Sequence, residues 1–577
     1  MYKQYLVDET YTIRQIFDIF QSLSEKKMPT GIAVVHDTKS KKVIGTITEG
    51  DLRRSLISGY KLNDKINNIY QKNPILFNAK TSYLELIEKI PAELISRKRK
   101  SKKFLSKIVL IDEKGRLEKV LSYHDLWEQK VASHRHIVVL GLGYVGITLA
   151  LVMADKGFYI TGVDNDSLKI SDLKSGNSYV KEKGIEFLLK KCIDSNFNPQ
   201  KSIPADGDVF IISVGTPIKE NTNSDNFSPD LSYLEQISID VGKKISVGNL
   251  VILRSTVPIG VTRNFVMPIL EKYSGLKCGV DFYLSFAPER TAEGKAIQEL
   301  TELPQIIGGI NDESVEATAA IFRDITNTIV RVKSIEAAEM AKLINNSFRD
   351  LIFSYSNYTA KIASKYNLDI YEVISSANQG YPRDMVPYPS PGVGGPCLTK
   401  DPFIFSESIS NNSKTLFEYG REINDSMHEF VYRKVTDETK RVGLEIKNLK
   451  IFVCGMAFKG KPETGDIRNS SAVSVYNLFK GDSSELCCHD PVASKNEMIS
   501  LGLNPVEFEK GIQNCDIVMF LNNHIFYEKI DLNIIINKMN NHPIIFDGWN
   551  IFKFDNIENY NSITYMNLSK TISNIIN

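Results

Sequence analysis

The sequence has few cysteines and almost no net charge, and each shortage excludes a class of protein. Seven cysteines in 577 residues are thinly scattered and odd in number, which does not resemble a disulfide framework and suits a reducing cytoplasm. Only Cys487 and Cys488 are close together, and adjacent cysteines lack the spacing of zinc ligands. We therefore expect no metal site. The net charge of +1 gives no overall field for holding nucleic acid or an acidic membrane.

Long apolar runs are also scarce, and the one exception is better explained by a soluble fold. Residues Ile137–Ala154 carry no charge and reach the length of a short membrane-spanning helix. The run is β-branched at first, then rich in glycine, then rich in Ala, Leu and Met, a pattern typical of a buried strand, a turn and a helix. Acids occur too early in the chain for a secretory signal. We expect a cytoplasmic protein with neither membrane nor nucleic-acid partners.

A unit of helix, strand, turn, strand and helix occurs twice in residues 1–132, which predicts two similar modules packed against each other. At the last strand-to-helix turn of each copy, a hydroxyl residue precedes an aspartate by three positions. The pairs are Thr48 with Asp51, and Ser122 with Asp125. This segment resembles a CBS-domain pair, and the resemblance implies that these four residues bind an adenine nucleotide. The alternative is that Thr48 and Ser122 are helix N-caps.

Alternating strand and helix patterns begin near His134 and continue to about Val332, as in a doubly wound parallel sheet. One long helix is predicted from Ser334 to Tyr366, and helical segments continue to about Val442. A second strand–helix alternation begins at Lys450. The predicted fold class is α/β, with two Rossmann-like doubly wound domains joined by a long central helical domain and preceded by the α+β pair. The predicted domains are residues 1–132, 133–332, 333–446 and 447–577.

The segment that starts the second domain fits a dinucleotide-binding fingerprint. Gly141, Gly143 and Gly146 form G-x-G-x-x-G between a strand and a helix, and the next strand ends in Asp164. In this motif the glycines serve the tight turn, the approach to a pyrophosphate, and helix–strand packing, while the acid binds the ribose of NAD. A carboxylate at that place disfavours the extra phosphate of NADP. The predicted cofactor site also includes three neighbours of this motif: Tyr144, Val145 and Lys169.

Two further strands end in hydroxyl, glycine and proline residues. In open α/β sheets ligands lie beyond the carboxyl ends of the strands. We therefore expect Thr216, Ser255 and Thr256 to reach the cofactor or the substrate.

From about His136 onwards the chain resembles the UDP-glucose/GDP-mannose dehydrogenase family. Six motifs occur in the family's order: Gly141-Leu-Gly-Tyr-Val-Gly, Ser255-Thr-Val-Pro-Ile-Gly, Pro288-Glu-Arg-Thr-Ala-Glu-Gly, Glu339 with Lys342 and Asn346, Gly394-Gly-Pro-Cys-Leu-Thr-Lys-Asp, and Ala457-Phe-Lys-Gly. The resemblance implies oxidation of the C6 alcohol of a nucleotide sugar to a carboxylate with two NAD molecules, for polysaccharide precursor synthesis.

That chemistry requires a nucleophile, because an aldehyde has no hydride to give until a group adds to it. By the resemblance Cys397 forms a thiohemiacetal and then a thioester, which water hydrolyses. We expect Gly392, Gly394 and Gly395 to keep its loop bare for close approach of backbone and substrate. Lys400 is expected at the cofactor site, where it would help to keep the thiol ionised.

The resemblance assigns roles to further residues. Lys342 and Asn346 lie on one helix face and stabilise the oxyanion at C6. Asp401 and Thr256 hold the reacting water, and Glu289 takes part in thioester hydrolysis. The remaining assignments are Glu293 and Arg468 near the cofactor, and Arg383, Lys459 and Arg349 at the substrate.

The loop around Cys397 and the Arg349-Asp350 pair look most like the enzymes that act on UDP-N-acetyl-mannosamine or UDP-N-acetyl-glucosamine. Two departures lie where sugar contacts are expected: Tyr358 after Asn357, and a two-residue lengthening between Lys459 and Arg468. The alternatives are therefore a UDP-glucose 6-dehydrogenase, a two-electron dehydrogenase of the 6-phosphogluconate type, or an inactive nucleotide-sensing protein. The long central helix with an apolar face predicts a homodimer or larger homo-oligomer.

Overall fold

The N-terminal segment contains two small units with the same topology. The computed structural model describes residues 2–26, 28–81, 83–97, 107–122, 135–220, 227–409, 413–552 and 563–573. The six strands of the two units are β1 (Leu6–Val7), β2 (Ile32–His36), β3 (Val43–Thr48), β4 (Leu76–Asn78), β5 (Lys107–Ile111) and β6 (Leu117–Ser122). In each unit the first strand pairs parallel with the second, and the second pairs antiparallel with the third. The helices are Ile13–Glu25, Glu49–Ile57 and Tyr83–Ser96, with 3-10 turns at Tyr2–Tyr5 and Ile66–Asn68.

The two units pack on each other through a shared apolar cluster. Leu23 and Val34 of the first unit lie in one cluster with Val109 and Val120 of the second. A backbone hydrogen bond of 2.9 Å from Val43 to Gly115 also joins them. Two similar units packed on each other are therefore observed up to Ser122. The predicted closing helix of the second copy lies outside the described residues.

The second domain is built on an eight-stranded sheet in the order β16-β15-β14-β13-β10-β7-β8-β9. Its strands, with the hairpin β11–β12, are β7 (His136–Leu140), β8 (Tyr159–Val163), β9 (Phe197–Gln200), β10 (Val209–Ile212), β11 (Ile218–Glu220), β12 (Phe227–Pro229), β13 (Leu250–Leu253), β14 (Tyr283–Phe286), β15 (Gln305–Gly309) and β16 (Ile329–Arg331). Only the β14–β15 neighbours are antiparallel. The order reverses between β7 and β10, where ligands bind in such sheets.

Helices cover both faces of this sheet, so the central strands β10 and β13 are apolar throughout. The helices are Tyr144–Asp155, Ser167–Lys174, Ile185–Cys192, Ser232–Gly242, Met267–Ser274, Ala296–Glu302 and Asp312–Phe322, with a π-helical turn at Thr262–Val266. The uncharged run at Ile137–Ala154 forms the predicted strand, glycine turn and helix. Across the described residues, we find no helix with the length and apolar character needed to cross a membrane.

The central helical segment begins with the predicted long helix, Ile335–Lys365, which we call the central helix. Ser334 is its N-cap and accepts a hydrogen bond of 3.1 Å from the Ala337 N–H. Its remaining helices are Ile370–Asn378, Asp401–Ser406, Leu416–Asp425 and Met427–Arg441, followed by a 3-10 turn at Ile446–Asn448.

The C-terminal sheet has six strands in the order β18-β17-β19-β20-β21-β22. They are β17 (Lys450–Cys454), β18 (Glu485–His489), β19 (Ile517–Phe520), β20 (Ile544–Asp547), β21 (Thr564–Met566) and β22 (Thr571–Ser573). The helices are Ser471–Phe479, Lys495–Ser500, Phe508–Ile512, Ile525–Glu528 and Leu532–Ile536. One apolar core joins this sheet to the central helical segment, since Ala360, Ile374 and Val431 cluster with Val453 and Met519. The predicted fold class is confirmed.

Candidate active site

The first glycine turn follows β7 at the point where the strand order reverses. Gly141 has φ +88°, and a Cβ there would lie 2.9 Å from the Ser213 carbonyl oxygen. A Cβ on Gly146 would lie 1.8 Å from the Gly141 carbonyl oxygen, whereas one on Gly143 would meet nothing within 4 Å. Gly143 directly precedes the helix Tyr144–Asp155. Two glycines therefore serve packing, and the third leaves backbone open at a helix N-terminus, where anions bind.

Asp164 follows β8 and lies against this turn. Its carboxylate accepts hydrogen bonds from the Leu142 N–H at 2.9 Å and the Asp166 N–H at 3.0 Å. Lys169 Nζ is 3.6 Å from the same carboxylate and lies 5.8 Å over the ring of Tyr179. The acid is thus fixed beside the turn, where a ribose hydroxyl is bound in dinucleotide sites.

A cleft of about 320 Å³ lies between the glycine turn and the C-terminal domain. It is lined by five of the residues predicted to bind the cofactor: Gly143, Tyr144, Lys169, Glu293 and Arg468. We call it the cofactor cleft. Val145 is half-buried in the first turn of the adjoining helix.

The residues of the cofactor cleft fit a dinucleotide. The open backbone at Gly143 suits a pyrophosphate, and Asp164 suits a ribose. The Ser213 hydroxyl, beside the glycine turn, is buried and has no hydrogen-bond partner in the described part of the chain. A buried polar group of this kind calls for a partner, and a bound ligand would provide one.

Side chains from both domains meet across the cofactor cleft at Glu293. Arg468 is 3.6 Å from its carboxylate, and the Thr464 hydroxyl donates to it at 3.3 Å. Lys459 Nζ donates to the Glu293 carbonyl at 2.8 Å. Burial, and secondarily the charge of Asp466, raise the pKa of Glu293 to about 7.

Cys397 lies in a loop that packs tightly against the C-terminal domain. A Cβ on Gly392 would lie 2.4 Å from the Ser471 hydroxyl, and one on Gly394 would lie 2.4 Å from the Asn469 carbonyl. A Cβ on Gly395 would lie 2.8 Å from the ring of Phe458. The glycines therefore admit the close approach of the protein's own chain, as predicted; the approach of substrate stays a prediction.

Cys397 is exposed, whereas the other six cysteines are buried. The protein that surrounds its sulfur nevertheless raises the pKa of the thiol to about 11, through burial first and the charge of Asp401 second. Lys342 and Lys400 lower the pKa by smaller amounts. Lys400, which is paired with Asp401 at 2.6 Å, therefore acts on the thiol in the predicted direction, but burial and the charge of Asp401 outweigh it.

Four of the predicted catalytic residues lie around this thiol. Asn346 Nδ2 donates to Asp401 at 2.5 Å, and Asp401 is fully buried. The Asp401 N–H donates to the Cys397 carbonyl at 2.9 Å, one turn after the cysteine. Lys342 is buried, with Nζ 3.8 Å from the Glu289 carboxylate. The charges of Asp401, Lys342 and Glu289 thus act on the Cys397 thiol, and Asn346 is joined to this group through Asp401.

The hydroxyls at the strand ends are engaged with neighbouring backbone. Thr216 donates to the Thr256 carbonyl at 2.6 Å, and Ser255 donates to the Val214 carbonyl at 2.7 Å. Both therefore join the loops after β10 and β13. Thr216, Lys400 and Arg468 also line a second cleft, of about 690 Å³, beside the Cys397 loop, which we call the loop cleft.

The predicted substrate residues are less closely grouped. Lys459 bridges the two domains through the Glu293 carbonyl, and burial lowers its pKa. Arg349 is exposed on the central helix and lies 5.9 Å over the ring of Phe353. Arg383 lies in an exposed segment and contacts Tyr381 at 3.1 Å. Arg383 lines neither cleft.

The structure corrects the expected position of Asn357 and Tyr358. Asn357 is fully buried and hydrogen-bonds Asn424 at 2.9 Å and the Ser390 N–H at 2.8 Å. Tyr358 is exposed on the surface of the central helix. Neither residue lines the cofactor cleft or the loop cleft, because helix periodicity turns one into the core and the other outwards.

Two groups of site residues were not found by sequence reasoning. Glu182 accepts hydrogen bonds from the Tyr144 hydroxyl and from the Gly294 N–H at 2.7 Å, and so ties the glycine-turn helix to the Glu293 loop. Arg421 is buried beneath the Cys397 loop and pairs with Asp350 at 2.6 Å. Both belong to no short motif, and only the fold brings their partners together.

In the N-terminal segment Thr48 is an N-cap. Its hydroxyl and N–H donate to the Asp51 carboxylate at 2.6 and 2.9 Å, and Arg54 donates to the other carboxylate oxygen at 2.6 Å. The capping alternative is thus observed, and a ribose would have to displace Arg54. Ser122 ends β6, and Asp125 lies outside the described residues.

A dinucleotide-binding sheet that meets a second α/β domain across a cleft is the architecture of a dehydrogenase with a dinucleotide cofactor. The chain belongs to the UDP-glucose/GDP-mannose dehydrogenase family, whose NAD binding, central and UDP binding domain models match residues 135–326, 336–426 and 452–554. The CBS domain model matches residues 1–58. The predicted family, NAD as cofactor and the reaction class are confirmed.

The match to known relatives extends over almost the whole length of each relative. UDP-N-acetyl-D-mannosamine dehydrogenase of Pyrococcus horikoshii is 32% identical over 421 residues, which are 72% of this chain and 96% of the relative. The solved structure of UDP-D-ManNAc dehydrogenase from the same organism has a TM-score of 0.68 at 29% identity and covers 75% of this chain and 99% of its own. The crystal structure of an NDP-N-acetyl-D-galactosaminuronic acid dehydrogenase from Methanosarcina mazei has a TM-score of 0.65 at 26% identity. It covers 79% of this chain and 98% of its own.

Proposed function

We propose that the chain oxidises C6 of a UDP-N-acetylhexosamine, with UDP-N-acetyl-mannosamine as the first choice, to the uronic acid. The observation that carries the proposal is the exposed Cys397 beside the loop cleft, with Lys342 and Asp401 close enough to act on its thiol. Asn346 is hydrogen-bonded to Asp401. The names of the relatives support the sugar. A UDP-glucose substrate is the alternative.

In this mechanism the chain supplies the nucleophile and fixes the reacting groups. The open backbone at Gly143 and the Asp164 carboxylate would hold NAD, which would supply the hydride acceptor for both oxidations. The sulfur of Cys397 adds to the carbon of the C6 aldehyde, and the thiol proton passes to the aldehyde oxygen, which gives a thiohemiacetal. Loss of a hydride from that carbon and of the hydroxyl proton leaves a thioester. Water then attacks the thioester carbon, the C–S bond breaks, and the thiolate leaves with the acid as product.

Lys342 and Asn346 are proposed to stabilise the C6 oxyanion. An ammonium and an amide N–H are donors suited to a developing negative charge. A side-chain amide has two N–H donors. Asn346 uses one for Asp401, and the second can donate to the oxyanion. Asp401 and Thr256 are proposed to hold the water, and Glu289, next to Lys342, to assist hydrolysis.

The test incubates the full-length protein with NAD and a panel of UDP sugars. We expect about two NADH per sugar and a uronic acid product, as the thioester route requires. One NADH with release of an aldehyde would contradict the four-electron mechanism. NAD reduction at an ordinary rate would also dismiss the inactive nucleotide-sensing alternative.

The matched variant is Cys397→Ser. A serine hydroxyl is a far weaker nucleophile than a thiolate at neutral pH, so turnover to the acid should be lost while the melting temperature stays at the wild-type value. Cys192→Ser, at a buried cysteine remote from the loop, is the control and should retain turnover.

We also propose that the enzyme is a homo-oligomer assembled through the central helix, and that Arg383, in its exposed segment, reaches the substrate of a neighbouring subunit.

The N-terminal pair is proposed to bind an adenine nucleotide. Calorimetric titration of the full chain with AMP, ADP and ATP tests this, with Asp51→Ala as control. An absence of binding would leave the pair an assembly or spacer role. The cytoplasmic location stays a prediction.

A further inference from the structure

A buried arginine holds the Cys397 loop from beneath on both sides of the thiol. Arg421 Nη2 donates to the Val393 carbonyl at 2.7 Å, and Nη1 lies 3.4 Å from the Leu398 carbonyl. Val393 precedes Cys397 and Leu398 follows it. The planar guanidinium can make several directed bonds at once, so one side chain fixes the loop on either side of the nucleophile.

The arginine is itself fixed by a network anchored on the central helix. Its Nη1 donates to Asp350 at 2.6 Å, and both side chains are 1% exposed. Asn424 Nδ2 donates to the same Asp350 oxygen at 2.9 Å. Asn357 joins Asn424 to the Ser390 N–H, at the start of the loop.

The Arg421–Asp350 ion pair is better understood from the groups that it positions than from its contribution to stability. A buried ion pair is weak evidence for stability, since removing two charges from water cancels most of their attraction. Here the second Asp350 carboxylate oxygen is buried without a hydrogen-bond partner in the described part of the chain. The ion pair is therefore better explained by the loop that Arg421 holds in place than by a gain in stability.

We propose that Arg421, fixed by Asp350, is a positioning residue that sets the place and the hydration of the Cys397 thiol. The inference rests on the proposed role of Cys397 as nucleophile. Asp350 lies four and eight residues after Asn346 and Lys342, so one face of the central helix holds the oxyanion donors and the anchor of the nucleophile loop. Displacement of the loop by about 1 Å is enough to cost up to about 100-fold in rate.

The test compares Arg421→Lys with Arg135→Lys in the full-length protein. Lysine keeps the charge but cannot span two carbonyls and the carboxylates of Asp350 and Asp425, which Arg421 contacts at 2.6 and 2.7 Å. Arg135 is the matched control, because it is 2% exposed and bonds the Ala320 carbonyl at 3.2 Å just before β7, at the opposite end of that strand from the glycine turn. We measure kcat, KM, melting temperature and the rate at which iodoacetamide alkylates Cys397.

Arg421→Lys is expected to lower kcat by about 10- to 100-fold, with a change in KM for the UDP sugar of less than about threefold. Its alkylation at neutral pH should be faster than in wild type, because a loosened loop hydrates the thiol and lowers its pKa. Arg135→Lys should show the wild-type kcat and alkylation rate. Equal effects of the two substitutions, or a fall in kcat with unchanged alkylation, would overturn the proposal.

Asp350→Asn keeps the size of the anchor and removes its charge, and it gives the same readouts if Arg421→Lys does not fold. A smaller change in the same direction supports the proposal, and a wild-type profile contradicts it. Alkylation requires no turnover. A wild-type enzyme inactive on all UDP sugars would therefore refute the proposed function while leaving this test of the loop valid.

Discussion

Cys397 differs from the other six cysteines in two properties that a chemical reagent measures. It alone is exposed, and its pKa is raised to about 11. Iodoacetamide should therefore label this residue alone in the native protein. Because only the thiolate reacts, the rate should rise with each increase in pH up to about 11.

Mass spectrometry of peptides after limited alkylation checks both expectations. Labelling of a second cysteine at a comparable rate would contradict the burial of that cysteine. A rate that levels off near neutral pH would contradict the raised pKa, since it would show that Lys342 and Lys400 lower the pKa of the thiol by more than desolvation of its sulfur and the charge of Asp401 raise it.

Alanine substitutions at Gly143 and Gly146 are expected to have different effects, although the two glycines lie three residues apart in one motif. Alanine at Gly143 meets nothing within 4 Å, so the melting temperature should stay the same. Its methyl group enters the proposed pyrophosphate contact, so KM for NAD should rise about tenfold, equivalent to about 1.4 kcal/mol. Alanine at Gly146 meets the Gly141 carbonyl at 1.8 Å and should lower stability by about 1–3 kcal/mol or more.

Thermal melting and NAD titration of the two variants measure this contrast. Equal effects on both quantities would mean that the two glycines serve the same purpose, and the open backbone at Gly143 would no longer support a cofactor contact.

At the scale of the element, the central helix has two faces with different tasks. Lys342, Asn346 and Asp350 face the Cys397 loop. The outer face carries exposed apolar residues at helical spacing, the apolar stripe: Met340, Ile344, Phe348, Tyr355, Tyr358 and Ile362. A contiguous stripe of this length on a soluble protein marks an interaction surface, which supports self-association through the helix.

Phe348→Glu should shift the protein from oligomer to monomer, because a buried unpaired carboxylate is costly at an interface. Light scattering after size exclusion gives the mass. Leu168→Glu is the control, since Leu168 is 75% exposed on a helix of another domain and should leave the mass unchanged. A Phe348→Glu variant with wild-type mass would remove the stripe as the assembly surface.

Sequence reasoning succeeded where local signals repeat and failed where contacts are distant. The helix predicted from Ser334 to Tyr366 is Ile335–Lys365 with these two residues as caps, because capping chemistry and period are local. The Arg421–Asp350 pair spans 71 positions and has no spacing rule. Asn357 was misplaced for a related reason: the sequence shows the period of a helix but not which neighbour covers each face.

At the scale of the whole molecule, the two sheets repeat one local plan around the clefts. Gly141 and Gly455 follow the first strand of each sheet with φ of +88° and +90°. Asp164 and Asp490 follow the second strand and accept an N–H from the turn after the first at 2.9 and 2.8 Å. The two domains therefore face each other with the same kind of strand end, and Glu293 lies between them.

Glu293 should make cleft function and stability respond to pH in opposite ways. Its pKa is raised to about 7 from 4.5, so the folded state binds the proton more tightly than the unfolded state. The stability from this proton is fully present below about 4.5 and is lost as pH rises through about 7. The charged form that exists above that pH attracts Arg468, 3.6 Å away in the other domain.

Glu293→Gln should therefore melt at a higher temperature than wild type above about pH 7, and the difference should vanish in acid. The same variant lacks the charge that draws Arg468 across the cofactor cleft, so its KM for NAD above neutral pH should match that of wild type below it. Melting curves and NAD titrations across the pH range measure both trends. A variant that is less stable at high pH, or whose KM still changes through neutral pH as in wild type, would show that Glu293 is not the group that titrates between the two domains.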